Sequence, residues 1–496
     1  MKRRSSVWSA LPLAFLGLVG CSDDASDDAA LDASGGSCTV EDLGNGKVQI
    51  RCPDGTTIDF EGGRTGEPGR DGAVGKDGSD GADGKDGKDG KDATSPCALS
   101  ENEDGTHTLT CGDKSVVIGA PCENGFPGDV IVSSDESMAK PMDLLLFEVS
   151  GCTWVRGGVM VLHYLGEELP SALARIEKID DQLYVAENEN LERAVFPALN
   201  TIGRDVLFQS NPSLVEVSLP ALESVGRHIA WRWNEALESL DVASLTTVGG
   251  AMEVRALDKL EHVTFPALKT AVSGVAVRDN AGVVEVELPA LESLGTLFVT
   301  QNTSLEAIRG FTALTEVGGY VVWQENPKLT ETPEFSALET IGAGNRTIDG
   351  VSRSVSLYWG SNASLETIGA FPKLATAAGE IIVDNHDALE TIGGFDELTD
   401  VVSLTVRKNA KLANLSAFSS LKTIGQNLVV DDNAELASIA DLGGITSIGG
   451  DFIVTNNAKL PVCDVVDALG AIQSADGIGG LIDYTGNDET DDSCLN

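Results

Sequence analysis

Basic residues are scarce in this sequence. Lysine and arginine together number 34 against 77 aspartates and glutamates, so the chain of 496 residues carries a formal net charge of −43. Binding to nucleic acid requires positive side chains that neutralise phosphates, and adhesion to anionic lipid requires them as well. The charge balance therefore excludes these two classes of partner, and we expect no nucleic acid to bind.

Histidine is also scarce, and the familiar catalytic patterns are missing. The 5 histidines form no His-Glu-x-x-His motif and no close pair. No Gly-x-Ser-x-Gly elbow and no phosphate-binding loop is evident. The sequence thus predicts no catalytic residue, no metal site and no cofactor. Acidic residues such as Glu192 and Glu216 lie mostly in turns between repeats, which is typical of solvated surfaces and not of a catalytic pair.

Long apolar runs are absent after the first twenty residues, so no membrane-spanning helix is predicted. Residues 1–20 have the form of an export signal, in which Lys2-Arg3-Arg4 precedes a short apolar core. This segment ends Leu18-Val19-Gly20-Cys21, which resembles the lipobox of bacterial lipoproteins, and the resemblance implies that Cys21 is lipidated. An ordinary secretory signal that contains a cysteine is the alternative. Residues 21–37 are small and acidic, which is typical of a flexible tether.

The sequence is rich in one repeated unit, marked by an asparagine every 22 to 24 residues, with one spacing of 36. The longer spacing is read as one repeat plus an insertion around Ala343–Ser354. A period in the twenties is typical of a solenoid, whose repeats bury their apolar edges by stacking. The asparagines lie at the following positions, with Leu257 and His386 in the two places where one is missing: Asn188, Asn211, Asn234, Asn280, Asn302, Asn326, Asn362, Asn409, Asn433 and Asn457.

Each repeat predicts a strand that ends at the asparagine. Apolar residues lie five and three places before it, as Leu183 and Val185 do before Asn188, and this period of two indicates one inward face. The amide of asparagine can bond the turn and the equivalent group of the next repeat. Glycine pairs such as Gly249-Gly250 are expected to give the following turn its backbone freedom.

The predicted fold class is therefore all-β dominated. It is a right-handed parallel β-helix, or leucine-rich-repeat-like solenoid, of about 12–13 coils over residues 159–460. At about 4.8 Å per strand the coils would make a rod of roughly 60 Å. Small helical caps are expected at residues 122–158 and 461–496, because the open ends of a solenoid must be covered.

Two short cysteine-bearing modules, at residues 38–60 and 97–121, precede the solenoid. In each, a turn signal flanked by alternating β-forming residues predicts a hairpin with a cysteine on either arm. With Cys21 set aside, eight cysteines remain in an exported chain, an even number that indicates disulfides. Their connectivity is open, and proximity in sequence favours four pairs, namely Cys38–Cys52, Cys97–Cys111, Cys122–Cys152 and Cys463–Cys494.

Between these modules, glycine occupies every third position of residues 63–92. This segment resembles the collagen-like regions of bacterial proteins, in which three chains place glycine at the crowded axis. Pro68 is its only proline, whereas collagen-like sequences usually contain at least about 15–20%. A homotrimeric triple helix and a monomeric extended spacer are both open, and either one would serve as a stalk.

The repeat itself resembles a known family. A strand, then Asn-x-x-Leu, then Phe-Pro-x-Leu-x-x-Ile-Gly is similar to the receptor L-domain family of leucine-rich-repeat-like coils, over Val159–Leu460. The leucine three places after the asparagine, as in Asn302 and Leu305, favours this family over ordinary leucine-rich repeats. No kinase or cysteine-rich module accompanies the repeat, so the resemblance implies binding through the sheet face and not receptor signalling.

Three arginines mark a candidate ligand-binding row. Arg232, Arg255 and Arg278 each stand two places before the asparagine position and would stack about 5 Å apart. Two interpretations are open: local pairing with Glu253, Asp279 or Glu187, and a patch of forked donors for a ligand bearing carboxylate or sulfate.

A second outward row, four places before the asparagine, is apolar. It predicts either an exposed protein interface or a surface covered by the insertion at residues 343–354. Trp323 and Trp359 are expected to point inward into the core. The members of the apolar row are Tyr184, Leu207, Phe298, Val322, Tyr358, Ile382, Val429 and Ile453.

Together these features predict a bacterial lipoprotein of the cell envelope, anchored to a membrane through its N-terminal lipid, with the outer membrane and its periplasmic or exposed face as the expected place. Its solenoid is expected to be a non-enzymatic scaffold that binds an envelope or extracellular protein or a glycan. A purely structural envelope protein and a polysaccharide-active β-helical enzyme are the alternatives. An open face with arginines and aromatic residues would favour binding, a covered face would favour structure, and carboxylates converging beside Arg232–Arg278 would favour the enzyme.

Overall fold

The structure, a computed structural model, describes most of the chain from residue 125 onward and six strands before it. The backbone is described for 39–44, 47–51, 57–61, 97–101, 107–111 and 114–118, and the chain more fully for 125–126, 128–134, 144, 147, 151–348, 350–474, 477–490 and 494. The predicted lipidation site Cys21, the acidic tether and the Gly-X-Y segment lie outside these residues.

The two cysteine-bearing modules are three-stranded antiparallel sheets. The prediction of two-stranded hairpins was therefore incomplete, because Thr57–Glu61 and Lys114–Ile118 each add a third strand to the predicted pair. Cys97 and Cys111 lie directly opposite each other in the register that their predicted bond requires. That bond and Cys38–Cys52 lie outside the described side chains and stay predictions. The predicted pairs of strands are Thr39–Gly44 with Lys47–Arg51, and Cys97–Glu101 with His107–Cys111.

A parallel β-solenoid of about 13 turns follows, which confirms the predicted fold class. Its longest sheet, the main sheet, takes one strand from each coil, and equivalent positions of successive coils lie opposite one another, as Leu183 and Val206 do. Its parallel strands are Val130–Val132, Val159–Leu162, Leu183–Ala186, Val206–Gln209, Ile229–Arg232, Ala251–Arg255, Gly274–Arg278, Leu297–Thr300, Val321–Gln324, Val351–Gly360, Glu380–His386, Leu404–Asn409, Leu428–Asp431, Phe452–Thr455 and Ile482–Asp483.

Shorter strands form the other sides of each coil. A second side is built from two-residue strands in a ten-stranded and then a four-stranded sheet: Trp154–Val155, Lys178–Ile179, Thr201–Ile202, Ser224–Val225, Thr247–Val248, Thr270–Ala271, Ser293–Leu294, Glu316–Val317, Thr340–Ile341 and Thr376–Ala377, then Asp400–Val401, Thr423–Ile424, Ser447–Ile448 and Gly477–Ile478. A third side is interrupted: Arg193–Val195, Glu216–Ser218 and Ser239–Asp241; His262–Thr264, Glu285–Leu288 and Ala307–Gly310; Thr367–Ile368 and Thr391–Ile392.

The core between these sides is a continuous stack of apolar side chains. Phe371 stacks on Phe335 at 4.8 Å and on Phe395 at 4.9 Å between ring centroids. Trp323 and Trp359 stack at 5.3 Å and are fully buried, which confirms their predicted inward orientation. Each such aromatic pair adds about 0.5–1.5 kcal/mol to the stabilisation from burial alone. Stacking of equivalent residues is thus what holds neighbouring coils together.

A ladder of buried asparagines runs along one corner of the coils. Asn302 shows the pattern: its Nδ2 donates to the Val277 carbonyl at 2.9 Å and to Asn326 Oδ1 at 3.1 Å, and its Oδ1 accepts from Asn280 Nδ2 at 2.9 Å. These hydrogen bonds satisfy buried backbone groups at the point where each strand turns, as the sequence predicted. At the end of the rod the ladder continues from Asn457 to Asn487.

The residue before each ladder position adopts a left-handed backbone conformation, which the sequence did not predict. Its φ lies between 50° and 65° in residues as large as Trp233. Such a conformation costs roughly 1–2 kcal/mol in a residue other than glycine. The buried ladder beside it must therefore hold the turn in place. These residues are His163, Glu187, Ser210, Trp233, Ala256, Asp279, Gln301, Glu325, Ser361, Asn385, Lys408, Asp432 and Asn456.

The glycine pairs serve close packing and not the predicted backbone freedom. Gly249 does not have a positive φ, and a Cβ at this position would collide with the carbonyl of Gly226 in the coil before it. The turn after most second-side strands therefore begins with glycine because successive backbones touch there.

Both ends of the solenoid are covered. At the start, the strand Val130–Val132 pairs with Val159–Leu162, and the buried ring of Phe147 contacts Phe126. At the end, the helix Val462–Ser474, labelled α1, forms the predicted lid, and the Cys463–Cys494 disulfide is present. Cys152 is also disulfide-bonded, although its partner lies outside the described residues. Short 3-10 helices span Ser171–Arg175, Ser416–Phe418 and Ala440–Leu442.

Candidate binding surface on the main sheet

The three predicted arginines lie in one row on the outer face of the main sheet. Arg232 is the register partner of Arg255, and Arg255 is the register partner of Arg278. The 23-residue spacing therefore places them on adjacent strands at the same coil position, as the sequence predicted. We call this row, with the groups that it contacts, the arginine cluster.

A buried carboxylate organises the arginine cluster. Glu253 is 2% exposed, although it lies on the outer side of the strand, between the register partners Ala230 and Ala276. Arg232 from the preceding coil forms an ion pair with Glu253 Oε2. Arg278 from the following coil donates through Nε to Glu253 Oε1 at 2.8 Å. One carboxylate thus links three coils and fixes the planes of two guanidinium groups.

Arg255 has a different and more open environment. Its Nε donates to Asp279 Oδ2 at 2.8 Å, and its guanidinium lies 5.7 Å from the centroid of the Trp233 ring, which is 43% exposed. Local pairing with Glu253 and Asp279 is therefore what the geometry shows. Glu187, the third predicted partner, lies 3.4 Å from His163. A ligand-binding role for the three arginines stays a prediction.

Two carboxylates contact the row Arg232–Arg278, where convergence of carboxylates was the feature expected of a polysaccharide-active enzyme. Both of them, Glu253 and Asp279, accept hydrogen bonds from arginines, and Glu253 is closed off from solvent. Within the described ranges no group of three or more histidine, cysteine or acidic side chains is placed to hold a metal ion.

One histidine borders the arginine cluster. His228 Nδ1 accepts a hydrogen bond from the Ala251 amide at 2.9 Å. Burial lowers the pKa of His228, and the nearby Arg227 and Arg232 lower it further, whereas Asp205 opposes them. The imidazole is therefore neutral near pH 7, and it adds no positive charge to the cluster.

The insertion predicted around residues 343–354 is a hairpin that folds over the outer face. Gly344–Ile348 pairs antiparallel with the start of Val351–Gly360, and we call these two arms the cover hairpin. Ile348 packs in a buried cluster with Phe298, Val322 and Ile382. The covered-surface interpretation of the apolar row is thus confirmed for these coils, and an exposed interface there is excluded. Tyr184, Val429 and Ile453 lie beyond the cover hairpin and are half-buried.

A second buried carboxylate anchors the cover hairpin. Glu380, 6% exposed, accepts hydrogen bonds from Arg353 Nη1 at 2.9 and 3.1 Å and from Thr405 Oγ1 at 2.5 Å. Ser356 Oγ accepts from the Gly379 amide at 2.7 Å, which ties the second arm to the next coil. The hairpin is therefore fastened by polar contacts at its base and by Ile348 near its tip.

A polar cavity of about 300 Å³ opens beside the tip of the cover hairpin. The sequence did not predict it, because its walls come from the hairpin and from four different coils. We call it the hairpin cavity, and it is lined by Gln324, Arg346, Thr347, Ile348, Tyr358, Ser361, Asp384, Asn385, Arg407 and Lys408.

Comparison of this chain with models of protein families and with curated proteins found no match. The receptor L-domain and collagen-like resemblances therefore stay expectations from the sequence, and the surface described above must be interpreted from its own geometry.

Proposed function

We propose that this chain is a bacterial cell-envelope lipoprotein that presents a non-enzymatic recognition solenoid, related to the receptor L-domain family, on a stalk. Its partner in this proposal is a protein or glycan of the envelope or its surroundings. The sequence Leu18-Val19-Gly20-Cys21 supports the lipid anchor, and residues 63–92 support the stalk. Among the described residues, no helix has the length and apolar content to traverse a bilayer.

The observation that carries the recognition role is the burial of Glu253 under two arginines. The equivalent positions of the coils before and after it are Ala230 and Ala276, so alanine suffices to build a coil of this rod. Removing a carboxylate and a guanidinium from water costs several kcal/mol per ion, and the ion pair often does no more than offset that cost. Stability alone therefore gives no reason for a glutamate here.

The arrangement does have a consequence for binding. Glu253 holds Arg232 and Arg278 in fixed orientations, while Arg255 and the exposed ring of Trp233 lie beside them. A surface whose donors are already ordered loses less conformational entropy when a partner binds. Arginine and tryptophan are also the residues that most often dominate binding energy at interfaces.

The cover hairpin favours the alternative that part of the molecule has a purely structural role. It removes the apolar row from solvent over the coils of Phe298, Val322 and Ile382. The arginine cluster lies on earlier coils, and Trp233 there is exposed. In a purely structural protein this exposed region would bind no partner. A binding measurement therefore distinguishes the recognition role from the structural role.

The test is a glycan and protein array probed with the full chain, made soluble by Cys21→Ser. The comparison variant combines Glu253→Ala with Arg232→Gln and Arg278→Gln, which recreates the alanine of the neighbouring coils and leaves no buried charge unpaired. We expect this variant to fold and to lose at least tenfold in affinity for the ligand that the parent protein binds.

The matched control replaces three exposed arginines elsewhere, Arg193, Arg204 and Arg227, with glutamine. It removes more positive charge from the chain and should retain binding. Equal loss in both variants would mean that only bulk charge matters, and a parent protein that binds nothing on either array would contradict the recognition role.

A further inference from the structure

We infer that the hairpin cavity binds a sugar that carries a carboxylate, such as a uronate unit of an acidic polysaccharide. This inference rests on the proposed recognition function and names a ligand class for a second place on the same sheet face. It follows from how the cavity is built, which charges meet there, and which hydrogen-bonding groups line it.

The floor of the cavity is formed by one row of the main sheet. Gln324, Gly360, Asp384 and Arg407 are register partners on four adjacent strands. Gly360 is the member without a side chain, and a Cβ there would collide with the phenol ring of Tyr358. The absence of that one side chain lets the ring lie across the row. The cover hairpin then supplies the opposite wall.

Positive charge gathers at this cavity although the chain is strongly acidic. Arg346, Arg407 and Lys408 line it, and Asp384 is the one carboxylate among its described lining residues. Asp384 is bonded to Arg407, whose Nε and Nη2 donate to its two oxygens at 3.0 and 2.7 Å. The other two cations therefore define the electrostatic character of the site.

Neither Arg346 nor Lys408 forms an ion pair with a carboxylate of the described residues. Arg346 donates to the neutral amide of Gln324, and its guanidinium lies 5.2 Å from the centroid of the Tyr358 ring. Lys408 is exposed and has a left-handed φ of 54°, so its side chain leaves the end of a strand at the cavity. A guanidinium and an ammonium beside a polar cavity form a site for a carboxylate, since arginine matches its two oxygens.

The remaining lining residues match hydroxyl groups. Thr347, Ser361 and Asn385 supply hydroxyl and amide groups that both donate and accept, and Asn385 Nδ2 donates to Ser361 Oγ at 3.0 Å. The amide of Gln324 is held by Arg346 and Glu325, and Asp384 adds an acceptor. Ile348 is the one aliphatic side chain in the lining. A volume of about 300 Å³ lies at the lower end of the range for small-molecule sites, roughly 300–1,000 Å³. One acidic sugar unit combines the required charge, hydroxyl content and size.

The experiment is titration calorimetry of the full chain, made soluble by Cys21→Ser, with four probes at low salt. The probes are glucuronate, a short oligomer of uronate units, neutral glucose, and acetate as a carboxylate without hydroxyls. We expect the two uronates to bind more than tenfold more tightly than glucose and acetate, and their affinity to fall as salt is added.

The variant that tests the site combines Arg346→Gln with Lys408→Asn, because asparagine tolerates the left-handed conformation at residue 408. It should weaken uronate binding at least tenfold. Lys373→Gln, at an exposed position outside the cavity, is the single-charge control and should bind as the parent does.

Three results would overturn the inference: no uronate binding by the parent, equal affinity for glucose and glucuronate, or uronate binding that survives the double variant. The second and third of these would leave the recognition role in place, because the protein would still bind a saccharide, though not through this cavity. If the arginine-cluster variant loses array binding but keeps full uronate binding, the arginine cluster and the hairpin cavity bind their ligands independently.

Discussion

The arginine cluster and the hairpin cavity occupy the same outer row of the main sheet, yet they hold their cations in different ways. In the arginine cluster a buried carboxylate, Glu253, lies beneath the guanidinium groups and neutralises part of their charge. In the hairpin cavity the residue beneath is aromatic, Tyr358, and the cover hairpin positions Arg346 above it. A fixed cation can therefore be obtained from an ion pair, which neutralises part of its charge, or from packing, which leaves the charge uncompensated.

The two regions also differ at the asparagine ladder. The coil that contains Glu253 has Leu257 in the ladder position, and the coil that contains Asp384 has His386 there. Leu257 is fully buried in the core and cannot titrate. His386 is also fully buried, and burial lowers its pKa from 6.5 to about 4. The ladder position of the first region therefore adds no sensitivity to mild acid, whereas the ladder position of the second region does.

The largest expected effect comes from breaking the buried pair. Glu253→Gln leaves Arg232 and Arg278 without their shared carboxylate, and we expect a local loss of stability of about 3 kcal/mol. Because coils of a solenoid can unfold locally, hydrogen exchange of the amides from 229 to 278 is the suitable measurement. The variant with Glu253→Ala, Arg232→Gln and Arg278→Gln should recover most of the loss. If Glu253→Gln exchanges like the parent, the carboxylate does not organise the cluster.

A similar effect is expected from acid in the second region. The stabilisation from neutral His386 is fully present above about pH 6.5 and is lost as the pH falls through about 4, because the unfolded chain takes up the proton first. The loss is on the order of 3 kcal/mol. Hydrogen exchange at pH 7 and pH 4 should show faster opening of residues 380–409 at the lower pH.

The control for this pH effect is His386→Asn. Asn409 Oδ1, which lacks a hydrogen-bond donor among the described residues, would then gain the contact that other ladder positions have. The acid-induced opening of residues 380–409 should disappear. Opening that is equal in parent and variant would assign the pH dependence to other groups.

A smaller effect is expected from loosening the cover hairpin. Ile348→Ala removes most of a side chain that is 7% exposed and packs on Phe298, Val322 and Ile382, at a cost of about 2 kcal/mol. We expect limited proteolysis to cut the hairpin faster and uronate binding to weaken, while array binding through the arginine cluster is unchanged. Unchanged uronate affinity would show that the hairpin does not position Arg346.

The smallest effect on stability is expected for Arg255→Gln. The pair of Arg255 with Asp279 is about one-third exposed on both sides, and such pairs contribute about 0–1 kcal/mol. Thermal unfolding should therefore change little, whereas array binding should weaken severalfold. A substantial fall in melting temperature without a binding change would show that Arg255 is a structural residue.

Much of the fold follows from the sequence because the repeat carries its own register. The spacing of the asparagines determines which residues lie opposite one another, and this placed Arg232, Arg255 and Arg278 in one row and turned Trp323 and Trp359 inward. The period of two along each strand determines which residues face outward from the main sheet. The outward row of apolar residues could therefore be recognised in the sequence, and it predicted either a covering segment or a binding partner.

The missed features depend on contacts between coils and not on the pattern within one coil. Glu253 lies at an outward position, and its burial comes from arginines of the coils on either side. The hairpin cavity requires the fold-back of the insertion onto Tyr358, and a spacing of 36 residues gives the length of an insertion but not its direction. The left-handed residues vary from Trp233 to Lys408, so no residue type marks them.

Oxidative footprinting of the full chain with its array-identified ligand can show whether the outer face of the main sheet is the recognition surface. Trp233 on that face is 43% exposed, and Val272, which follows a strand of the second side, is 58% exposed. We expect the ligand to protect Trp233 from oxidation and to leave Val272 unchanged. Protection of Val272 with Trp233 still reactive would place the recognition surface on another side of the solenoid and contradict the proposed binding through the main sheet.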